Sequence, residues 1–303
     1  MTTYREAERQ RAIQIRDALF KDPGAGLFFG KERDFVLQDP ALNLWAGIRE
    51  DAKDYFERNA IPWWKGNETE PTGHLLSSQV ACVNHLYAVR QRKDVASAVL
   101  NAIDPELRMA LPVDDGYVEF EFIGSKPYLG EKGFTRGANC TSVDAVMMGV
   151  RSDQSRVLFL IEWKYTESYR PENRYIPARA QVYDSLILDP DGPFVPGIDP
   201  QHFYYEPFYQ MMRQTLLARQ FEKYEELGCR RCINVHVIPD QNQELKSSIT
   251  SPGLAGQDIH DAWRKVVKEP DKYVPVDPSA LLKAAADLPD TRSWLSYLRA
   301  RYW

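Results

Sequence analysis

The chain opens with helical spacing of apolar residues and turns to strand spacing near its middle. Residues 4–20 predict a charged helix with Ala7, Ile13, Ile15 and Leu19 as apolar members. Residues 41–59 predict a second helix, ending before Ile61-Pro62-Trp63-Trp64. Residues 75–103 carry a long helical pattern with Leu76, Val80, Val83, Leu86 and Tyr87 apolar; Gly73 punctuates its start and a break is expected near Lys93-Asp94. The period then changes. Residues 117–123 alternate strictly, which predicts a strand with Val118, Phe120 and Phe122 on one face and Glu119 and Glu121 on the other. Two apolar runs follow, 141–148 and 157–165, separated by the turn-like Arg151-Ser152-Asp153-Gln154-Ser155. Residues 177–188 predict a helix, 189–197 a Pro/Gly-rich loop and 205–227 another helix. Residues 232–238 predict a strand closed by Pro239, and 258–303 three short helices.

Three charges interrupt the two apolar runs: Asp144 in the first, Glu162 and Lys164 in the second. A bare charge is costly to bury unless it is paired, hydrogen-bonded or bound to a metal. If the hairpin is symmetric about Asp153, Asp144 falls opposite Glu162, and Lys164 shares the face of Glu162. Directly opposed residues of an antiparallel pair have Cβ atoms about 5 Å apart. Two carboxylates at that distance repel unless a divalent cation lies between them. Mg²⁺ takes one or two carboxylates together with waters and substrate phosphate. Lys164 would add a fixed positive charge where a reacting phosphate develops negative charge. The plainer alternative is a solvated pair at a strand edge; the apolar neighbours on both sides favour central strands.

Composition narrows the classes. At 303 residues, with 44% hydrophobic and 12% aromatic content, the chain suits one large domain or a core with elaborations. It has no apolar stretch long enough for a bilayer and no signal core in its first residues. Together with four cysteines, this leads us to expect a cytoplasmic protein without a membrane partner. The net charge of −5 lacks the basic footprint usual for nucleic-acid binders. Locally, however, Lys164, Arg170, Arg174 and Arg179 follow the charged strand and suit phosphate contacts, with a solvated loop as the alternative. Nucleophilic hydrolase signatures are missing: there is no G-x-S-x-G, Cys140 has no evident partners, and the five histidines show no H-E-x-x-H. Cys229 and Cys232 make half a zinc site and read as ordinary thiols, and His236 as a satisfied core histidine.

Val143-Asp144 followed at hairpin distance by Glu162-Trp163-Lys164 resembles the PD-(D/E)XK nuclease superfamily, the fold of many restriction endonucleases. Val143 replaces the usual proline, which shapes backbone and binds no metal. The phrases Arg136-Gly137-Ala138-Asn139-Cys140-Thr141-Ser142 and Tyr165-Thr166-Glu167-Ser168-Tyr169 look like a restriction-endonuclease branch. The resemblance covers about residues 75–238. It implies an α/β, restriction-endonuclease-like core: a mixed central β-sheet flanked by helices in the order α-β-β-β-α-β, with helical N- and C-terminal elaborations. Residues 1–73 would pack on a nuclease core of 74–240, and 241–303 would extend the same domain.

The resemblance also implies function. The expectation is a Mg²⁺-dependent endodeoxyribonuclease, with Mn²⁺ as a substitute, acting on nucleic acid in a restriction or defence role. A homodimer would suit double-strand cleavage. Asp144, Glu162 and Lys164 would be catalytic, and Asp144, Glu162 and the backbone carbonyl of Trp163 would hold the metal. Some relatives carry a catalytic Glu on the first core helix; residues 75–103 have no Glu, and Gln79 is the nearest polar residue. Glu121 is expected to stand in, against the alternative of a solvent-facing acidic strand face. Gln210 and Gln214, beside Tyr209 and Arg213 on one helix, and Arg170 are the expected substrate contacts; a polar outer stripe is the alternative. A competing class is a catalytically inactive nucleic-acid-binding or assembly module on a nuclease-like fold. The intact Asp144, Glu162 and Lys164 favour the enzyme.

Overall fold

A hairpin near the N-terminus, β1 (Gly26–Phe28) with β2 (Lys31–Arg33), stands apart from the main sheet. The structure is a computed structural model describing residues 2–136 and 140–303. Its longer helices, in chain order, are α1 (Tyr4–Leu19), α2 (Arg49–Arg58), α3 (Ser78–Arg90), α4 (Lys93–Ile103), α5 (Pro177–Ile187), α6 (Phe208–Lys223) and α7 (Arg292–Arg301). Among the described residues six strands form the main sheet: β3 (Leu107–Leu111), β4 (Glu119–Phe122), β5 (Val143–Arg151), β6 (Arg156–Trp163), β7 (Arg231–Val237) and β8 (Tyr273–Val276). The first half of β5 pairs with β4 and the second half with β3, both antiparallel. Its other side pairs antiparallel with β6, and β6–β7 and β7–β8 are parallel. The result is the α/β architecture with a mixed central sheet flanked by helices that the resemblance implies.

Strands β5 and β6 read as continuous apolar runs because both faces are covered. Met147, Phe159 and Ile161 join one buried cluster with α3 (Ser78–Arg90) and α4 (Lys93–Ile103). Val146, Leu158 and Leu160 join the other, with α6 (Phe208–Lys223). Parallel pairing of β6 with β7 requires a crossover; that connection contains Pro177–Ile187 and α6. The Ser77 side chain caps α3 by accepting from Val80 N–H, and the expected break in the long helix falls at Gln91-Arg92.

Several expectations need correction. The helix expected over 41–59 is a 3₁₀ turn, Pro40–Asn43, followed by the shorter Arg49–Arg58. Strands β3 and β8 were not anticipated, and 258–303 contributes a strand as well as helices. Pro275 masks β8, yet proline is tolerated there because β8 lies at the sheet edge. Val118, Phe120 and Phe122 do not share a face: Val118 and Phe120 pack on the α3 side, Phe122 on the α6 side. The cause is Glu121, whose φ of 49° is left-handed and breaks the alternation. No helix among the described residues is long and apolar enough to cross a membrane.

Candidate active site

The β5–β6 ladder runs from Val150↔Arg156 to Ala145↔Ile161, symmetric about Asp153 as expected. Asp144 and Glu162 are the next residues at its open end. Trp163 N–H donates to Asp144 Oδ2 at 2.7 Å, tying that carboxylate to the neighbouring strand. Glu162 is 4% exposed. Lys164 Nζ donates to Glu162 Oε1 at 2.6 Å and to Gln210 Oε1 at 2.6 Å. Gln214 Nε2 donates to Glu162 Oε2. The Lys164 backbone N–H bonds Val237 O at 2.8 Å, so the lysine is held at the end of β7 as well. Asp144, Glu162 and Lys164 are thus brought together from two strands, with Gln210 and Gln214 reaching in from α6. The polar residues of α6 face the site and are not an outer stripe.

Glu121 completes the cluster. Its neighbours pair Phe120↔Ala145 and Phe122↔Val143, which sets Glu121 level with Asp144. Gln79 Nε2 donates to Glu121 Oε1 at 2.9 Å and Ser142 Oγ to Oε2 at 3.2 Å. Gln79 Oε1 accepts from Trp64 N–H at 2.7 Å, so this amide bridges a loop to a carboxylate. Glu119 is elsewhere, paired with Arg136. Glu121, Asp144, Glu162 and Lys164 line one cleft of about 430 Å³, together with Trp163, Glu167 and Arg5.

The electrostatics follow from this crowding. Burial pushes the Asp144 carboxyl well above the usual carboxylate range; Glu162 and Glu121 push it further, against the pull of Lys164 and Trp163 N–H. Burial also raises Glu121, with Glu162 adding to the rise and the bonds from Gln79 and Ser142 opposing it. Burial works against charge on Lys164, but Glu162, then Tyr169, Glu167 and Asp144, overcome it and hold its pKa well above normal. Three acidic groups therefore face one ammonium. Their donors are all oxygens, which suits a hard divalent ion. Among the described residues no three His, Cys, Asp or Glu side chains converge as a ready-made metal cage. An ion held here would keep part of its water shell.

Other candidates fall outside the cleft. Arg170 is exposed and does not line it. Arg174 pairs with Glu172 at 2.9 Å, and the Arg179 guanidinium lies over the Tyr209 ring. Cys229 and Cys232 are buried free thiols, and His236 Nδ1 is bonded to the Tyr273 hydroxyl at 2.9 Å. Gly137, Ala138 and Asn139 of the 136–142 phrase lie outside the described residues. Sequence reasoning missed Glu167, which accepts from Tyr165 N–H at 2.7 Å and from Ser78 Oγ. It sits beyond the end of β6, where no strand or helix period could flag it.

A family model described as Restriction Endonuclease associating with ARP matches residues 26–303. No curated protein and no solved structure matches the chain.

Proposed function

The chain belongs to the family described as Restriction Endonuclease associating with ARP, and from that premise we propose that it is a metal-dependent nuclease of the PD-(D/E)XK type. It hydrolyses phosphodiester bonds, with DNA as the favoured substrate and restriction or defence as the role. One observation carries the reading: Asp144, Glu162 and Glu121 face a single cleft with Lys164 as the ammonium among them. Carboxyls shifted by burial and by charged neighbours in a cleft are the pattern of a functional site.

Asp144 and Glu162 would hold the ion, with the Trp163 carbonyl and Glu121 as further ligands. Bound there, Mg²⁺ or Mn²⁺ would supply Lewis-acid polarisation of a phosphoryl oxygen and a more acidic water. The chain's own residues do the rest. Trp163 N–H fixes Asp144, Gln214 fixes Glu162, and Gln79 with Ser142 fixes Glu121. Lys164, steadied by Gln210, sets its ammonium beside the phosphate, where charge develops as one P–O bond forms and the ester P–O bond breaks. A homodimer would suit double-strand cleavage, and light scattering of the purified protein tests for it.

The test is cleavage of a panel of DNA and RNA substrates with Mg²⁺ or Mn²⁺. Wild type should cut and Glu162→Ala should not, while both give the same circular dichroism spectrum. A Glu162→Ala variant that cuts at the wild-type rate overturns the assignment.

A further inference from the structure

The carboxylate cleft is one of two chambers that share a wall. The second, of about 490 Å³, is lined by Trp63, Trp64, Thr141, Ser142 and Arg213 among others. Trp64, Gln79, Glu121 and Gln210 border both. Trp64 is 46% exposed at this shared rim. Its ring is backed by Phe28 at 6.1 Å and His74 at 5.9 Å between centroids. Its backbone N–H is held by Gln79, the amide that also bonds Glu121. A half-open aromatic ring is therefore fixed at the edge of the carboxylate site and linked to one of the carboxylates.

Behind Trp64, outside the two chambers, the aromatic contacts continue. Phe28 contacts Phe29 at 4.6 Å, Phe29 is 73% exposed, and the Lys65 ammonium lies 4.7 Å over its ring. Arg5 lines one chamber, and Arg213, paired with Glu131 at 3.5 Å and bonded to Thr141 Oγ1 at 2.9 Å, lines the other. Exposed aromatic rings interleaved with cations along a groove are the pattern by which proteins grip single strands: bases stack on the rings and phosphates follow the cations. Size points the same way. Each chamber falls within the roughly 300–1,000 Å³ typical of small-ligand sites, and the Glu162 carboxylate is recessed at 4% exposure. A phosphate must descend into the cleft to meet it, and a flexible single strand does so more readily than a stacked duplex.

We propose that Trp64 is a stacking platform for an unpaired nucleobase, so that this site acts on single-stranded or locally unpaired nucleic acid. The inference rests on the nuclease reading above and narrows its substrate. Its test is fluorescence anisotropy of labelled oligothymidylate and oligouridylate, against a blunt DNA duplex and an oligothymidylate carrying abasic sites, all in EDTA. Wild type should bind the two single strands more tightly than the duplex. Trp64→Leu should weaken single-strand binding by roughly 5- to 150-fold, the range of one lost base–aromatic stack. Trp64→Phe should retain most of the affinity, and abasic strands should not distinguish the variants. Equal single-strand affinity in Trp64→Leu and wild type, or duplex bound as tightly as single strands, overturns the proposal. The two readings fail separately. Glu162-dependent cleavage with no Trp64 effect removes the platform and leaves the nuclease. A Trp64 effect without metal-dependent cleavage supports the platform and removes the nuclease.

Discussion

Replacing Lys164 with methionine isolates the electrostatics of the site. The Lys164–Glu162 pair is buried, with side-chain exposures of 7% and 5%, and its bond is 2.6 Å long. Removing one partner from such a pair strands the other charge and costs about 3–5 kcal/mol. Unfolding entropy near ~2.1 cal/mol/K per residue, over 303 residues, gives about 0.64 kcal/mol/K. Lys164→Met should therefore lower the Tm by roughly 5–8 °C. Methionine keeps the length of the stem, so the change is one of charge more than of packing. The assay is thermal unfolding at pH 7.5 in EDTA, repeated with Mg²⁺. Added Mg²⁺ should return part of the loss, because the stranded carboxylates gain a cation. The double variant Lys164→Met/Glu162→Gln should melt above Lys164→Met, because the charge left without a partner is gone. A Lys164→Met protein that melts with wild type in EDTA, or a double variant that recovers nothing, would refute the reasoning.

Asp144→Asn should move the same melt upward: asparagine can still accept from Trp163 N–H but removes a carboxylate that burial, Glu162 and Glu121 all push toward the neutral form. A lower Tm for Asp144→Asn would contradict that balance. Gln79→Leu should weaken Mn²⁺ binding by roughly 10- to 100-fold, the usual cost of losing a residue that orients a ligand, as read by calorimetric titration. Acid should destabilise the fold through its histidines. Burial lowers His74 to about 4, His85 to about 3 and His260 to about 4, from 6.5. Below pH 6.5 the unfolded chain binds protons that the folded one refuses. The histidine contribution is thus complete above pH 6.5 and falls toward pH 4 by up to about 1.4 kcal/mol per pH unit for each ring. The raised Asp144 and Glu121 carboxyls act in the opposite direction, so the rings are followed directly by NMR titration, and imidazoles that titrate near 6.5 would show that they are not held neutral. Arg301→Met should cost roughly 1.5–3 kcal/mol, because the buried guanidinium donates to the backbone and side chain of Asn43 and ties Arg292–Arg301 to the N-terminal section. Urea unfolding at pH 7.5 checks it, and wild-type stability would deny the tie.

What could be read from the chain was whatever a local period carries. The β5–β6 hairpin was legible because two apolar runs flank one short turn, and its symmetry about Asp153 brings Asp144 near Glu162 with Lys164 on the same side. Helices Tyr4–Leu19, α3 and α6 were legible for the same reason. Strand β3 was not: Leu107–Leu111 is short and includes exposed Arg108, so its pattern is weak until β5 pairs with it. Strand β8 was hidden by Pro275, which only an edge position permits.

The sequence by itself determined the hairpin, its register and the three charges at its end, because strand pairing across a short turn is a local problem with period two. Only the tertiary structure decided what surrounds them. Glu121 enters the cleft on a left-handed residue, which moves Phe122 off the face that strict alternation assigns to it. Gln79 proved to be a bridge from Trp64 to Glu121, and Gln210 and Gln214 became partners of Lys164 and Glu162. These contacts join residues 15 to 52 positions apart. No periodic pattern encodes such separations; they exist once the two helices close over the sheet.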